Sequence, residues 1–516
     1  MRASRAFILA TTTILAGSCA NPNTSLLPSQ SQEAGGTSLT SLAPTASATV
    51  PAWLSTVSAK WTQAEREPYS TETPIPTRTE NPRPLSQEGS WLAFGSSEGL
   101  WIADADGQAA QMLFRFSGDS SSRLSFAGSP RGAHLALSEP PPPSTYLFSI
   151  PTPLQGESAE PHVLVFTLPD LSPTAVAPLI SSRQVRAIAT EFPSESNRIE
   201  DEAGYRVEQI REAYSSPGSL AWSSNGSTLA FAAAIDGPTS DLYLLDGSTG
   251  KVRRLTSGPG QTASILWSPD DRFIIHNAVD DFNLGRSGTD IVSGLWSAAA
   301  DGSSLVLLSP GHTIPIAWLA PSRLLVRSWV WMCDSYDLAI VNVETGQKDI
   351  LWDGFFLAVA ADPVSGAILV GNPYAPSPSD DMCPSDTPVG LFFLQGPSAT
   401  PRRVGDFEFS QFVAAPYPSI EWLPSMGLFR VVDGRGSSYF HPDGREDGGT
   451  GRPPTQADAM LASDLYCNYL WDPLRQALAV SDDSTILVAT GPDYDPIKIA
   501  TGLSQVCDYP LQWIGP

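Results

Sequence analysis

The sequence is poor in charged side chains, in histidine and in cysteine. Only 16% of its 516 residues are charged, and acidic residues outnumber basic ones by 54 to 30. A formal net charge of -24 lacks the basic surface that DNA, RNA and anionic headgroups require, so the composition argues against nucleic-acid binding. With 41 Gly and 47 Pro, the chain favours many short strands joined by turns over long surface helices.

The motifs of common enzymes are also missing. We find no Gly-x-Ser-x-Gly elbow, no phosphate loop and no dinucleotide fingerprint. The five histidines are scattered and lack the spacing of a metal site, so the sequence indicates no catalytic residue, no metal and no cofactor. They are His134, His162, His276, His312 and His441. An enzyme whose site is assembled from distant loops stays as the alternative, because such a site leaves no local motif.

The first eighteen residues have the pattern of an export signal. Arg2 and Arg5 precede an apolar stretch at 6–16, and small residues lead to Cys19. The apolar stretch is too short to span a bilayer as a mature helix. Residues 15–19 resemble the lipobox of bacterial lipoproteins, which implies cleavage before Cys19 and its acylation, with an ordinary signal peptide as the alternative. We therefore expect an exported protein, at the cell surface or in the periplasm, that meets a membrane through its lipid anchor only.

Residues 19–87 are dominated by Ser, Thr, Pro, Ala and Gly. Such a composition buries too little apolar surface to offset its ordering entropy, so we interpret it as a flexible, disordered tether. A coil of this length has an end-to-end distance on the order of 45 Å. Trp53, Leu54, Val57 and Trp61 fall on one helical stripe within it. The predicted organisation is a signal peptide at 1–18, the tether at 19–87 and one folded domain at 88–516.

Internal repeats are the strongest signal in the folded domain. Residues 220–231 and 265–275 both have a strand that ends on an aromatic residue, a turn, and a second apolar strand. The second half of each unit is an apolar strand, an acidic or Gly turn and another strand, and these turn residues tolerate the backbone of tight hairpins. Each unit is therefore predicted to be a four-stranded antiparallel meander in an all-β protein. Copies of the first strand lie at Phe126, Trp222, Trp267, Trp318, Ala361, Trp422, Trp471 and Trp513.

Two of the repeated segments carry a family resemblance. The Trp-Ser-Pro-Asp turn at 267–270 and the Leu-Ala-Phe strand at 229–231 resemble the WD40-like, PD40-type repeats of TolB-like β-propellers, over about 88–516. The resemblance implies a propeller that serves as a binding or scaffold module, without a named partner. The unit at Trp91 lacks an opening strand and the chain ends on an extra one at Trp513, so the C-terminal strand is expected to complete the first blade. The count is eight blades, or seven if the weak unit at Ala361 is not a blade. The repeated tryptophans are interpreted as packing between blades.

The four cysteines after Cys19 are even in number, which favours disulfides in an exported protein. In a four-stranded blade, the loop between the second and third strands and the link to the next blade emerge on the same face. From this topology we predict that Cys333 pairs with Cys383 and that Cys467 pairs with Cys507. The same classes of connection contain long insertions at 138–161, 184–215, 278–294 and 371–389, and the second of these contains a predicted amphipathic helix at 199–214.

The insertions define a candidate binding face. Its acidic field favours cationic or hydroxyl-rich partners. The loop at 280–290 has oxygen ligands at alternate positions but no terminal bidentate Glu, so we interpret it as a solvated acidic loop instead of a calcium site. The predicted function is a non-catalytic extracytoplasmic binding or scaffold module, monomeric, whose partner is an unknown protein, glycan or cell-wall ligand. The alternative is a propeller enzyme that acts on carbohydrate or cell-wall material with loop carboxylates. The candidate residues are Asp280, Asp281, Asn283, Asp290, Trp329, Trp331, Asp334, Asp380 and Asp381.

Overall fold

The computed structural model describes most of residues 85–515. The segments outside the description are 88–89, 105–109, 116–123, 140–159, 192–199, 259, 283–289, 331–334, 373–387, 397–399, 408–418, 424–426, 434–435, 449–467, 473–476, 483, 491–495 and 504. The signal peptide, Cys19 and nearly all of the predicted tether lie outside it as well. No helix of the described part is long and apolar enough to cross a membrane.

The described strands form eight separate antiparallel sheets, numbered here in chain order. Sheet 1 contains β1 (Trp91–Ser96), β2 (Gly99–Asp104) and β3 (Gln111–Arg115), and sheet 2 contains β4 (Phe126–Gly128), β5 (His134–Ser138), β6 (His162–Thr167) and β7 (Ser172–Pro178). Helices α1 (Ser182–Glu191) and α2 (Glu200–Ser215) follow. Sheet 3 contains β8 (Leu220–Trp222), β9 (Thr228–Ala233), β10 (Asp241–Asp246) and β11 (Val252–Arg254). Sheet 4 contains β12 (Gln261–Trp267), β13 (Phe273–Asp281), β14 (Ile291–Ala299) and β15 (Leu305–Pro310).

The second half of the chain repeats the arrangement. Sheet 5 contains β16 (Thr313–Ala320), β17 (Arg323–Val330), β18 (Ser335–Asn342) and β19 (Lys348–Gly354), and sheet 6 contains β20 (Ala358–Ala361), β21 (Ala367–Asn372), β22 (Gly390–Gln395) and β23 (Arg402–Gly405). Sheet 7 has three described strands, β24 (Ser419–Leu423), β25 (Leu428–Asp433) and β26 (Gly436–Phe440). Sheet 8 contains β27 (Asn468–Asp472), β28 (Ala477–Ser481), β29 (Thr485–Thr490) and β30 (Pro496–Thr501). A short 3-10 helix (Val506–Asp508) leads to β31 (Leu511–Ile514).

Matching hydrogen bonds hold the turn between the first two strands in sheets 3 and 4. Ser223 Oγ accepts a hydrogen bond from Thr228 N at 3.0 Å, and Ser268 Oγ accepts one from Phe273 N at 2.9 Å. The position before the last turn residue has a left-handed backbone in both sheets, with φ of 73° at Gly226 and 59° at Asp271. Gly and Asp tolerate this conformation better than most residues, which explains why the repeated turn favours them.

The first sheet is completed from the far end of the chain. β31 pairs antiparallel with β1, so the order in sheet 1 is β3-β2-β1-β31. From β31, Trp513 Nε1 donates to Leu470 O in sheet 8 at 3.4 Å, while the amide of Gln512 bonds to Phe126 O and Gly128 N in sheet 2. As predicted, the C-terminal strand β31 therefore completes the first sheet.

Two of the repeated tryptophans donate hydrogen bonds to the sheet that precedes their own. Trp222 Nε1 donates to Ala127 O at 3.0 Å, and Trp267 Nε1 donates to Ala221 O at 2.9 Å. Each indole thus bonds to the first strand of the preceding sheet, which is the packing role expected from the sequence. The buried indole rings add apolar area to the contact.

The core consists of apolar clusters between successive sheets. Leu92 and Phe94 pack toward sheet 8, whereas Trp91 and Ala93 pack toward sheet 2, so alternate residues of β1 serve two interfaces. Similar clusters lie between sheets 2 and 3, 3 and 4, 4 and 5, 5 and 6, and 6 and 7. Because both faces of such a sheet are covered, its strands are apolar nearly throughout instead of alternating with polar residues.

One expectation needs correction. The insertion predicted at 278–294 is shorter, because β13 extends to Asp281 and β14 begins at Ile291. Sheet 7 has three described strands, and the segment 449–467 that follows it lies outside the described residues. Just before the predicted start of the folded domain, Leu85 is buried and Ser86 N donates to Asp104 Oδ1 at 2.9 Å. The weak unit at Ala361, by contrast, forms the four strands of sheet 6.

Candidate binding face

The two ends of the antiparallel strands define two faces. We call the loop face the side where second and third strands are joined and where one sheet leads to the next, and the turn face the side of the other two turns. Both helices lie in the link from sheet 2 to sheet 3, and residues 282–290 join β13 to β14, so these connections belong to the loop face.

Helix α2 packs on sheets 3 and 4 through an apolar stripe. Ile210, Ala213 and Tyr214 are fully buried, and Ala213 contacts a small cluster in sheet 4 that includes Val279 and Phe282. The predicted helix at 199–214 is confirmed by this element, which spans Glu200–Ser215. Its packing brings the link after sheet 2 against the second-to-third strand connection of sheet 4.

Polar contacts also hold α2 against the connection between β13 and β14. The Tyr205 hydroxyl donates to Asp281 Oδ1, and Gln209 Nε2 donates to the same oxygen at 2.9 Å. The Gln209 side chain also accepts a bond from Phe282 N at 2.6 Å and donates to Phe282 O at 2.9 Å. Asp281 is therefore an anchor for the helix, and its carboxylate is engaged from within the protein.

A buried ion pair orders the neighbouring loop of sheet 3. Asp241 is 1% exposed, and its Oδ2 lies 2.5 Å from Arg254 Nη2, while Gly258 N donates to its Oδ1 at 2.9 Å. Arg254 Nη1 also lies 3.1 Å from Asp236 Oδ1, and the same oxygen accepts a hydrogen bond from the Tyr243 hydroxyl. Burial raises the pKa of Asp241 to about 6, and the charge of Arg254 opposes that rise. The arginine holds both ends of the connection between β9 and β10.

Two of the predicted acidic residues, Asp280 and Asp290, are exposed on the loop face. Gly260 lies beside Asp280, whose Oδ1 would be 3.2 Å from a Cβ placed on that glycine. The backbone of Trp329 lies in β17, but its side chain is outside the described residues. The remaining predicted residues of the face also fall outside the description, and they are Asn283, Trp331, Asp334, Asp380 and Asp381.

Of the four cysteines predicted to form disulfides, only Cys507 is described, and it is disulfide-bonded. Cys333, Cys383 and Cys467 lie outside the described residues. Asn468 Nδ2 donates to Cys507 O at 3.2 Å and to Tyr509 O at 3.0 Å. The assignment of pairs stays a prediction.

The histidines lie in different parts of the fold. His276 is buried in β13, and burial lowers its pKa to about 4. The His134 ring stacks on Trp222 with centroids 5.8 Å apart, and burial lowers its pKa as well. His441 Nε2 lies 3.6 Å from Asp447 Oδ1. Within the described part of the chain, no three His, Cys, Asp or Glu side chains form a group that could hold a metal ion.

Sequence reasoning missed α1 and the pair between Asp241 and Arg254. A signal for α1 was present, because Ser181 stands three residues before Gln184 and its Oγ accepts a bond from Gln184 N at 3.2 Å, as in a capping box. The ion pair left no such signal, since its two members are separated by a whole hairpin.

No protein-family model matches this chain, and no curated protein does either. Among solved structures, TolB from Acinetobacter baumannii has 14% identity over 69% of this chain and 62% of its own chain, with a TM-score of 0.30. Dipeptidyl peptidase 4 from Porphyromonas gingivalis has 10% identity over 81% and 59%, with a TM-score of 0.42. An oligogalacturonate lyase in complex with manganese has 15% identity over 54% and 75%, with a TM-score of 0.36.

These similarities concern the fold alone, because identities this low do not carry an activity from one chain to another. The chain spans less than two thirds of the TolB and peptidase chains that it resembles. Solved structures of TolB proteins are thus among those to which this chain is similar.

Proposed function

We propose that this protein is a non-catalytic, extracytoplasmic binding or scaffold module that uses its loop face to hold a partner. The observation that carries the proposal is the junction of α2 with Asp281 and Phe282, which joins connections from different sheets into one fixed surface. Ordered loops on a rigid scaffold are common positions for binding residues. The lipid anchor at Cys19 and the export signal complete the proposal, and both rest on the sequence.

We further infer that the eight sheets close into one eight-bladed propeller. The inference is supported by β31, which belongs to sheet 1 but bonds to sheet 8 through Trp513 and to sheet 2 through Gln512. Apolar clusters join seven of the eight neighbouring pairs among the described residues, and sheets 7 and 8 are separated by the undescribed segment 449–467. A closed ring leaves no open sheet edge between first and last blades.

The partner is expected to be cationic or hydroxyl-rich. Asp280 and Asp290 are exposed on the loop face, and the whole chain has a net charge of -24. A negative field attracts cations and repels anions such as nucleic acids. A protein, a glycan and a cell-wall polymer all remain within this class.

The disulfides are proposed to hold the same face. Asn468 follows Cys467 in the chain and bonds to the carbonyl of Cys507, which supports pairing of these two cysteines. Pairing of Cys333 with Cys383 follows from their positions between second and third strands of consecutive sheets, 5 and 6. Non-reducing peptide mapping that joined Cys333 to Cys467 or Cys507 would contradict both assignments.

Photo-crosslinking in the native envelope tests the proposal. A benzophenone amino acid placed at 280 or 290 of the full-length chain should give a discrete adduct, whereas the same group at Asp349, exposed on the outer strand β19, should not. Replacing Asp280 and Asp290 together by Lys should abolish the adduct of a crosslinker placed next to them. Lys at the exposed Asp170 and Asp349 is the matched control and should leave it unchanged.

The enzyme alternative predicts a different result. A carbohydrate-cleaving site needs two carboxylates about 5 to 10 Å apart across a pocket. On the loop face Asp281 is engaged by Tyr205 and Gln209, so it is a poor candidate for such a pair. If the purified protein released reducing ends from envelope glycans, and if no adduct formed at 280 or 290, the binding proposal would be wrong.

A further inference from the structure

A groove of about 520 Å³ lies on the turn face, opposite the candidate binding face. It is formed by the turn between β12 and β13, by the turn between β14 and β15, and by Glu344 from sheet 5. Its size falls within the range of small-molecule sites. The lining includes Asp271, Arg272, Phe273, Asp301, Ser303, Ser304 and Glu344.

Contacts between three sheets hold the groove in shape. From sheet 3, Ser224 donates through its N and Oγ to the two oxygens of Asp271, at 2.5 and 2.9 Å. Arg253 Nη2 donates to Ala300 O at 2.5 Å. From sheet 5, Glu344 Oε1 lies 2.7 Å from Arg272 Nη2. A ligand would therefore meet side chains already placed, which lowers the entropy cost of binding.

Charges of both signs lie in the groove. Arg272 bridges Asp270 and Glu344, with its guanidinium 5.1 Å above the ring of Phe273. Its positive charge is therefore compensated by two carboxylates, and a cation would have to compete with Arg272 for them. Hydrogen bonds from Ser303 lower the pKa of Asp301, so that carboxylate is ionised at neutral pH and repels an anion.

A neutral group that both donates and accepts hydrogen bonds fits this arrangement. Hydroxyl groups can donate to Glu344 and Asp301 and accept from Arg272, and Ser303 and Ser304 contribute hydroxyls to the same lining. Hydrogen bonds to charged partners are stronger than neutral ones, so charged side chains suit a polyol well.

We propose that this turn-face groove binds a neutral, hydroxyl-rich ligand, namely a sugar unit of a glycan, with Arg272 and Glu344 as its main contacts. The site is separate from the loop face and does not depend on the function proposed for that face. A molecule with both sites could bind a glycan at one end and a second partner at the other.

Saturation-transfer NMR on the full-length protein tests the groove, with tetrasaccharides of glucose, of mannose and of N-acetylglucosamine as probes. At least one should show transfer. Arg272→Met and Glu344→Gln should each weaken binding about tenfold, since each removes hydrogen bonds to a charged group. Both side chains are partly exposed, at 57% and 42%, so the variants should fold, as a melting curve will check.

Lys251→Gln, at an exposed position of the hairpin in sheet 3, is the control and should bind like the unmodified protein. Absence of transfer to all three tetrasaccharides overturns the proposal. So does binding that both groove variants leave unchanged. Calorimetric binding of spermidine or of inorganic phosphate that Arg272→Met alters would likewise overturn it, because the groove would then be an ion site. A failure of crosslinking at 280 and 290 has no bearing on these outcomes.

Discussion

The buried imidazole of His276 should make the stability of the fold sensitive to acid. His276 lies in β13 and is 4% exposed. Burial lowers its pKa from 6.5 to about 4, against a smaller opposite effect of the Asn277 backbone. In the unfolded chain the imidazole regains its ordinary pKa, so between these two values the unfolded state binds a proton that the folded state does not.

Because the unfolded state binds the extra proton, acid destabilises the folded state. The contribution of His276 to the free energy of unfolding is fully present above about pH 6.5 and is lost as the pH falls toward 4. Each unit of pKa difference corresponds to about 1.4 kcal/mol, so lowering the pH from 7.5 to 4.5 should cost about 2.5 kcal/mol of unfolding free energy through His276 alone.

Urea unfolding of the full-length protein at pH 7.5 and 4.5 measures the effect. His276→Leu removes the titrating group, and its loss of stability over this interval should be about 2.5 kcal/mol smaller than that of the unmodified protein. His441→Leu is the matched control for the substitution itself, because it removes an imidazole that is 40% exposed instead of buried. Equal pH dependence in the His276 variant and the unmodified protein would refute the reasoning.

Three further predictions follow from the same structure. Arg254→Met should destabilise the protein by about 3 kcal/mol in urea unfolding, because it leaves the buried Asp241 carboxylate without its partner, and an unchanged midpoint would contradict this. A chain that ends after Asp508 lacks β31 and should melt about 10 °C lower, and equal melting temperatures would exclude closure through Trp513. Metabolic labelling with a fatty acid should mark the unmodified protein but not Cys19→Ala, and equal labelling of both would exclude lipidation at that residue.

Local patterns in the sequence determined the repeating part of this protein. The aromatic position and the turn that follows it recur in most units. Seven of the eight predicted positions lie in the first strand of a separate sheet, and the eighth, Trp513, lies in β31, which completes sheet 1. Strand type and turn chemistry depend on neighbouring residues, so the sequence alone carries them. The amphipathic stripe that became α2 was visible for the same reason.

Only the tertiary structure decided how distant segments meet. Asp281 was predicted to lie on a solvated acidic loop of the binding face, yet it anchors α2 through Tyr205 and Gln209, more than seventy residues earlier in the chain. Asp271, Arg272 and Glu344 gave no signal of a groove, because they come together only when sheets 4 and 5 pack side by side. Contacts of this kind depend on the relative placement of whole sheets, which the pattern within one repeat does not specify.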